Sequence, residues 1–217
     1  MRNVKPRRQY DATNRRERAR RSREAVLDVA QARFLSRGYG VTTVSEIAQE
    51  AAVSPETIYK AFGGKAGLVK AIYDRGLEGE GPLPAYQRSD QMRERESDPR
   101  VIMREWGRLT AEVASVVTPI RLLLRSAAAT DADMARLLED RDRERLERMR
   151  HHARFLDERG YLRDDVTVDE ATDVLWACSS AEFYELLVMQ RGWSLEQFAG
   201  FITDFMINGL LQRPARG

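Results

Sequence analysis

The sequence predicts an all-α protein, and three observations support that fold class. The seven prolines all lie outside the periodic apolar stretches. Helix-start signals recur along the chain, and glycines follow several of the periodic stretches. No alternating apolar and polar run is long enough to indicate a β-strand. We therefore predict about nine helices in two domains, residues 1–80 and 81–217.

Two local patterns predict where the helices start. Proline after a capping residue marks the first helical position, where its missing N–H costs no hydrogen bond. Pairs of this kind are Ser54-Pro55, Asp98-Pro99 and Thr118-Pro119. Capping-box spacing, a hydroxyl three residues before Glu or Gln, joins Thr43 to Glu46, Thr167 to Glu170 and Ser194 to Gln197. Helices are expected to end at Gly38, Gly160 and Gly192.

The predicted helices follow from these signals and from apolar spacing. In order, they cover 15–38, 44–51, 55–62, 65–79, 99–117, 119–129, 131–159, 168–191 and 195–212. The polar segment 80–98 is interrupted by glycine and prolines and separates the two domains. Because long structureless loops are uncommon in compact domains, residues 85–96 are a candidate for an additional helix.

Charge is distributed unevenly along the chain. The net charge is only +2, but residues 1–23 hold ten basic and two acidic side chains. This basic arm therefore carries +8, and the remainder of the chain carries −6. A basic arm on a mildly acidic body indicates a polyanionic partner, with a disordered solubility tail as the alternative. The charged run "EDRDRERLERMRHH" (139–152) is interpreted as a solvated helix face with Leu146 and Met149 inward.

Composition and motifs exclude several classes of protein. No apolar run approaches the ~18 residues that a membrane span needs, so no membrane partner is expected. Cys178 is the one cysteine, which excludes an internal disulfide and indicates a reducing cytoplasm. No HExxH or GxSxG motif is present, and on a helix His151 and His152 point about 100° apart. We expect no enzyme activity, no cofactor and no metal.

The stretch 44–62 has the pattern of a helix-turn-helix unit. Its two short helices supply apolar residues on one side each, and the helix before them carries a matching stripe at helical spacing. That stripe consists of Val26, Leu27, Ala30 and Phe34. In such a unit the second helix enters the DNA major groove by its N-terminal end. Its outer face would be Pro55, Glu56, Thr57, Tyr59 and Lys60; an ordinary helical hairpin with a solvated face is the alternative.

The segment "VTTVSEIAQEAAVSPETIYKAFGGKAGLVKAI" (41–72) resembles the N-terminal domain of the TetR/AcrR family of transcriptional regulators. The matching residues are Thr42-Thr43, Ile47-Ala48, Ala51, Val53-Ser54, Thr57, Tyr59, Phe62, Lys65 and Leu68-Val69. The segment 22–39 also resembles the first helix of that family. Two positions depart from its pattern: Ala52 stands where the turn usually has glycine, and Ala61 stands where histidine or an aromatic residue is frequent.

The resemblance implies a set of DNA contacts. Thr43 and Ser54 would cap helices and touch phosphates, whereas Tyr59 and Lys65 would hold phosphates. Glu56, Thr57 and Lys60 would face bases. The implied DNA-binding set is completed by Thr42 and Pro55 and by Arg18 and Arg21 of the basic arm, which would act on the backbone or minor groove.

The resemblance also implies a two-fold homodimer through the last two helices. The implied interface consists of Ala177, Ala181, Tyr184, Val188, Phe198, Phe201, Ile202, Phe205 and Met206. Such a dimer would bind palindromic double-stranded operator DNA. Closure of a monomeric core by the same helices is the alternative.

An unidentified small-molecule effector would bind among the helices of the C-terminal domain. The candidate ligand-binding residues are Met103, Trp106, Leu109, Arg125, Met149, His152, Trp176 and Phe183, with plain core packing as the alternative for each. Arg121 and Arg125 lie one turn apart and face either an anionic ligand or nearby acids. The function implied is a homodimeric, ligand-responsive transcriptional repressor; the alternative is a helical dimeric small-molecule-binding protein without operator function.

Overall fold

In the computed structural model of the protein, residues 8–79 and 83–212 are described, and within them the predicted all-α fold is confirmed. These residues contain no β-strand, only an isolated bridge between Leu162 and Leu211. They divide into two compact units between Ile72 and Tyr73. The helices are α1 Arg8–Arg37, α2 Val44–Glu50, α3 Pro55–Phe62, α4 Lys65–Glu78, α5 Ala85–Arg95, α6 Pro99–Ala128, α7 Ala132–Glu158, α8 Val168–Cys178, α9 Ala181–Tyr184, a π-helical segment Glu185–Gln190, and α10 Leu195–Leu210.

Most of the predicted helix starts are confirmed. Thr43, Thr167 and Ser194 each form a complete capping box with the predicted partner. The side chains of Ser54 and Asp98 cap helices that have proline in the first turn. These interactions satisfy backbone N–H groups that the helix itself leaves unpaired, so each start is fixed locally.

The predicted helix start at Thr118-Pro119 is wrong. Pro119 lies inside α6, which continues from Pro99 to Ala128 and replaces two predicted helices. Thr118 is buried, and so are Ile102 and Leu124 toward the two ends of this helix. An interior proline removes one helical hydrogen bond. Burial of one continuous apolar face along α6 evidently offsets that cost.

Two other elements differ from the predicted map. The candidate helix in the linker is present as α5. The predicted helix 168–191 is interrupted instead, because α8 ends at Cys178 with Ser179 as its C-cap. Ser180 starts α9 in an extended conformation, and the chain then continues into the π-helical segment.

The first unit has its core between the faces that the apolar spacing predicts. Val26, Leu27, Ala30 and Phe34 of α1 are all buried. They share this core with residues from α2, α3 and α4, among them Ile47, Ile58, Leu68 and Val69. Burial of one leucine- or isoleucine-sized side chain contributes roughly 1.5–3 kcal/mol, so this core can hold the two short helices in place.

The core of the second unit lies mainly between α6, α7, α8 and α10. Gly107 of α6 faces α10 across a close contact. A Cβ at this position would overlap the Thr203 hydroxyl and lie 2.8 Å from the Ala199 carbonyl oxygen. The missing side chain therefore allows the two helices to approach closely.

Within residues 8–79 and 83–212, no helix is both long enough and apolar enough to cross a membrane.

Candidate functional site

The turn between α2 and α3 places α3 in a defined orientation on α2. Ala51 ends α2, and the Val53 N–H donates to the Ala48 carbonyl oxygen at 3.0 Å. Ala52 has a φ of +53°, the left-handed conformation that glycine usually supplies. The turn therefore has the left-handed conformation although residue 52 is alanine.

The outer face of α3 is polar and open. Ile58 is the buried residue of this helix, whereas Glu56, Thr57, Tyr59 and Lys60 are exposed. Tyr59 keeps 56% of its surface accessible. A hydrogen bond from Ser54 lowers the pKa of Glu56, so this carboxylate is charged at neutral pH. The start of α3 therefore presents a hydroxyl, a carboxylate and an ammonium group together.

Two cationic side chains near α3 pack against aromatic rings. The Lys65 Nζ atom lies 4.2 Å from the centre of the Tyr39 ring and donates to the Gly40 carbonyl oxygen at 3.5 Å. The Arg23 guanidinium lies 4.4 Å from the centre of the Phe62 ring. Lys65 is half-buried, so it presents less of its charge than Lys60 does.

Thr42 does not belong to the implied set of DNA contacts. Its side chain is only 1% exposed, and its hydroxyl donates to the Gly38 carbonyl oxygen at 2.9 Å. Thr42 therefore fixes the end of α1 and offers no free surface. Thr43 is exposed and Pro55 is half-buried, which leaves both accessible.

The basic arm is described only in part. Residues 1–7 lie outside the described residues, and side chains are described from Arg16 onward. Arg18, Arg20 and Arg21 are exposed on α1, and Arg21 pairs with Glu17 at 3.8 Å. This part of the helix therefore presents several cations to solvent.

The second unit contains a cavity of about 130 Å³. Its walls come from α4, α5, α6, α7, α8, α9 and α10, and they combine aromatic and aliphatic side chains with three arginines. Of the predicted ligand-binding residues, Trp106, Leu109, Met149 and His152 line it. Trp106 donates through Nε1 to the Ser89 hydroxyl at 3.0 Å, and its ring lies 4.2 Å from that of His152 between centres, tilted by 50°.

The other four predicted ligand-binding residues do not line the cavity. Met103 is fully buried in the core. Arg125 pairs with Glu182 and Glu185, and Trp176 lies under the Arg145 guanidinium. Phe183 packs against Phe201 and Phe205. Helical spacing placed these residues in helices but did not reveal which side of each helix faces the cavity.

Burial sets the ionisation of the groups around this cavity. It lowers the pKa of His152 well below its usual range, and nearby Arg148 and Arg93 act in the same direction. It raises the pKa of the Cys178 thiol to about 12 and also raises those of Tyr73 and Tyr86. At neutral pH the imidazole, the thiol and both phenols are therefore uncharged.

Comparisons with known proteins agree with the geometry of the first unit. Residues 26–72 match the model of bacterial regulatory proteins of the tetR family. These residues carry a TetR-family domain. The HTH-type transcriptional regulator YvkB of Bacillus subtilis strain 168 is 36% identical over 64 residues, 30% of this chain and 34% of that protein. The chain thus matches about a third of the length of this curated relative.

Solved structures of TetR-like regulators extend the likeness to most of the chain. SmeT in its triclosan complex has a TM-score of 0.69 at 22% identity, covering 88% of this chain and 92% of that one. NalD of Pseudomonas aeruginosa, the secondary repressor of the MexAB-OprM multidrug efflux pump, has a TM-score of 0.67 at 22% identity, with coverages of 91% and 100%. At this identity the likeness concerns the fold alone.

Five of the nine residues implied for the dimer interface are not available on the surface of the last helices. Ala181, Tyr184, Phe198, Ile202 and Met206 are buried within the chain itself. They close the core of the second unit, as the monomeric alternative expects for these five positions. The remaining implied residues keep accessible surface; these are Ala177, Val188, Phe201 and Phe205.

An aromatic cluster instead covers the outer side of the last helices. Phe201 packs on Phe183 at 5.8 Å, on Trp193 at 5.9 Å and on Phe205 at 6.0 Å between ring centres. Phe205 remains 43% exposed, and Leu186 and Met189 of the adjacent π-helical segment are about half exposed. We call these residues the outer apolar face.

The sequence interpretation missed most of the polar cavity lining. Tyr73, Tyr86 and Ser89 were not considered. Arg141 and Arg145 were assigned to a solvated face, which is wrong for these two positions because they line the cavity and Arg141 is only 8% exposed. Arg141 and Arg145 lie on one i, i+4, i+8 row with Met149, so the inward position predicted for Met149 could have suggested the same for both arginines.

Proposed function

We propose that the protein is a homodimeric, sequence-specific DNA-binding transcriptional regulator, a repressor that a small-molecule ligand releases from its operator. It would act on DNA in the cytoplasm and not as an enzyme. The tetR-family match over residues 26–72 supports the regulator class. The open polar face of α3 is the observation that carries the proposal.

The proposed DNA contact begins at the N-terminal end of α3. Thr57 and Lys60 offer a methyl group, a hydroxyl and an ammonium group, which suit base edges in the major groove. Thr43, Ser54 and Tyr59 offer hydroxyls that suit phosphates and would fix the register of the helix. Arg18 and Arg21 add non-specific attraction to the backbone.

The proposed dimer uses the outer apolar face. An isologous interface would cover the exposed Phe205, Leu186 and Met189 with the same residues of a second copy. Two α3 helices related by a two-fold axis would bind half-sites about 34–36 Å apart. The operator is therefore expected to be palindromic.

The proposed effector binds in the cavity. Tyr73 and Leu77 belong to α4, and both line it. The same helix starts at Lys65, a proposed phosphate contact. Ligand and DNA binding would be reciprocally linked, with a coupling typically of ~1–3 kcal/mol.

Substitution of the α3 face tests the proposal. The operator is first selected from fragmented genomic DNA of the source organism, and affinity is then measured by gel shift. We expect Lys60→Ala and Tyr59→Ala each to weaken binding by about 1–3 kcal/mol, roughly 5- to 150-fold, because each loses a direct contact. Circular dichroism is expected to remain unchanged, since both side chains are exposed.

Arg108→Ala is the matched control, because it removes one exposed positive charge from the second unit. Its affinity should stay close to that of the wild type. Unchanged affinity in both α3 variants would contradict the proposed role of α3. If no sequence is enriched by the folded dimer at low salt, the small-molecule-binding alternative becomes the better proposal.

A further inference from the structure

The lining of the cavity is rich in arginine. Arg121, Arg141 and Arg145 line it, and Glu144 is the one carboxylate among the lining residues. Asp74 and Asp142 also pair with these arginines, so three carboxylates face three guanidinium groups. A guanidinium group can only donate hydrogen bonds, so any N–H group that the carboxylates leave unpaired requires an acceptor. Such a lining disfavours a cationic ligand.

Each of these arginines is held by the protein on one side. Arg121 donates to Asp142 at 2.5 Å, and Arg141 donates to Asp74 at 2.7 Å and to Glu144 at 2.8 Å. Arg145 donates to the Trp176 carbonyl oxygen at 2.6 Å and to the Ser179 hydroxyl at 3.0 Å. These bonds fix the guanidinium planes before any ligand arrives.

Asp142 interacts with two of the arginines. Its Oδ1 atom accepts from Arg121 and lies 3.6 Å from Arg145 Nη2. One carboxylate therefore offsets parts of two guanidinium charges. The pKa of Arg145 is lowered by its burial and next by Arg121, whereas Asp142 acts in the opposite direction.

Four nitrogen atoms around the cavity lack hydrogen-bond partners although they are buried. They are Arg121 Nη1, Arg141 Nε, Arg145 Nε and His152 Nδ1. Arg121, Arg141 and His152 are themselves 9% exposed or less. Buried polar groups in proteins are almost always bonded, so this concentration beside a cavity indicates a missing polar partner.

The rest of the lining is apolar. Trp106, Leu109, Val113, Met149, Leu175 and Met206 supply aromatic and aliphatic surface. A ligand that filled this space would need an apolar body next to its polar group. Pockets of this composition bind by burying the body and orienting the molecule through a few polar contacts.

We propose that the cavity binds a small monocarboxylic acid as its carboxylate, with the carboxylate at Arg121, Arg141 and Arg145 and an apolar body against Trp106 and Met149. The two oxygens of a carboxylate can each accept from a guanidinium N–H group, and each of the three arginines has one nitrogen without a partner. This inference rests on the proposed function, because it names the class of the effector. It also concerns binding alone, which can be measured without DNA.

A head-group series tests the inference on the wild-type dimer. Thermal unfolding is measured with 4-phenylbutyrate, 4-phenylbutan-1-ol and 4-phenylbutylamine, and with octanoate, octan-1-ol and octylamine. We expect a carboxylate at about one hundred times its Kd to raise Tm by roughly 5–10 °C. The matched alcohol and amine should give little or no shift. Equal or larger shifts from the alcohols or amines, or no shift from either acid, would overturn the inference.

Arg121→Gln locates the binding site of the active acid. The substitution removes one guanidinium but leaves Asp142 beside Arg145, and titration calorimetry should show at least a roughly tenfold weaker Kd for the acid. Arg125→Gln is the control, since Arg125 lies one turn away, is half exposed and does not line the cavity. A Kd that changes equally in both variants would contradict the assignment to the arginine cluster.

The operator then separates the inference from the proposed function. Loss of operator binding when the acid is added would support both. Binding of the acid without any effect on the operator complex would retain the carboxylate site and contradict the ligand-released repressor. Operator binding with no carboxylate site would retain the regulator and overturn the inference.

Discussion

At the scale of a single residue, Ala52 adopts the backbone conformation that the turn requires and not the one that alanine prefers. Its φ of +53° places a Cβ where only glycine is free of steric cost. The turn retains its hydrogen bonds from Ala52 N–H to the Gln49 oxygen and from Val53 N–H to the Ala48 oxygen. Burial of Ile47 and Ile58 on either side fixes the angle of the helices and forces alanine into this conformation.

Replacement of Ala52 by glycine is therefore expected to stabilise the first unit. Ala52 is exposed and loses no packing on substitution. We expect Ala52→Gly to raise the free energy of unfolding by about 0.5–1 kcal/mol, measured by urea denaturation. Ala32→Gly, at an exposed helical position of α1, should lower it by about the same amount. A loss of stability in both variants would show that Ala52 carries no strain.

Single residues also mark the limit of the sequence interpretation. Thr42 matches the family pattern as well as Thr43 does, but one hydroxyl is buried and the other caps α2. Arg141 and Arg145 lie in a run so rich in charge that a solvated face was the simplest interpretation. Whether a charged side chain turns inward depends on partners far along the chain, such as Asp74 and Trp176, which no local pattern reveals.

At the scale of the element, local signals worked wherever the cause was local. Capping boxes and Ser-Pro or Asp-Pro starts depend on contacts within four residues, and the structure confirms them. Thr118-Pro119 has the same local signature but lies inside α6. The burial of one face of α6, from Ile102 to Leu124, against other helices decides that case. The π-helical segment Glu185–Gln190 likewise has no signature in the periodicity of its residues.

The contact between α6 and α10 depends on Gly107. We expect Gly107→Ala to lower the free energy of unfolding by about 1–3 kcal/mol, because the new Cβ overlaps Thr203 and the Ala199 backbone. Gly209→Ala on α10 is the control, since its Cβ would lie an ordinary 3.7 Å from Val174. That variant should be neutral or slightly more stable in urea denaturation. Equal stability of Gly107→Ala and the wild type would mean that the two helices can separate at little cost.

At the scale of the whole molecule, the fold class and the helix-turn-helix unit were predictable, while the interior of the second unit was not. Residues 41–72 combine caps, turn and apolar stripe within a short segment, so the local pattern nearly determines the structure. Helices α6 to α10 carry apolar residues on more than one side, so apolar spacing does not identify the buried side. Ile202 and Phe205 both satisfy the apolar spacing, but Ile202 is fully buried and Phe205 is 43% exposed.

This difference leads to a prediction for the proposed dimer. Phe205 lies on the outer apolar face with Phe201, Leu186 and Met189, and no residue in the described part of the chain covers it fully. A second copy that covered this face would bury a central aromatic anchor, the kind of residue that dominates interface energies. Phe205→Glu would place a charge there. We expect it to weaken the dimer by about 2 kcal/mol or more, roughly 30-fold in Kd.

Sedimentation equilibrium of the wild type and the variant measures this change directly. Leu35→Glu, at a similarly exposed leucine of the first unit, is the control and should leave the dimer intact. Phe205 is already partly exposed in the single chain. We therefore expect the monomeric variant to keep its helical content and to unfold cooperatively on heating. Operator affinity should fall with the dimer, because one half-site alone offers half of the contacts. A variant that remained dimeric at low concentration would place the interface elsewhere on the second unit, and the exposed aromatic cluster would then need another partner.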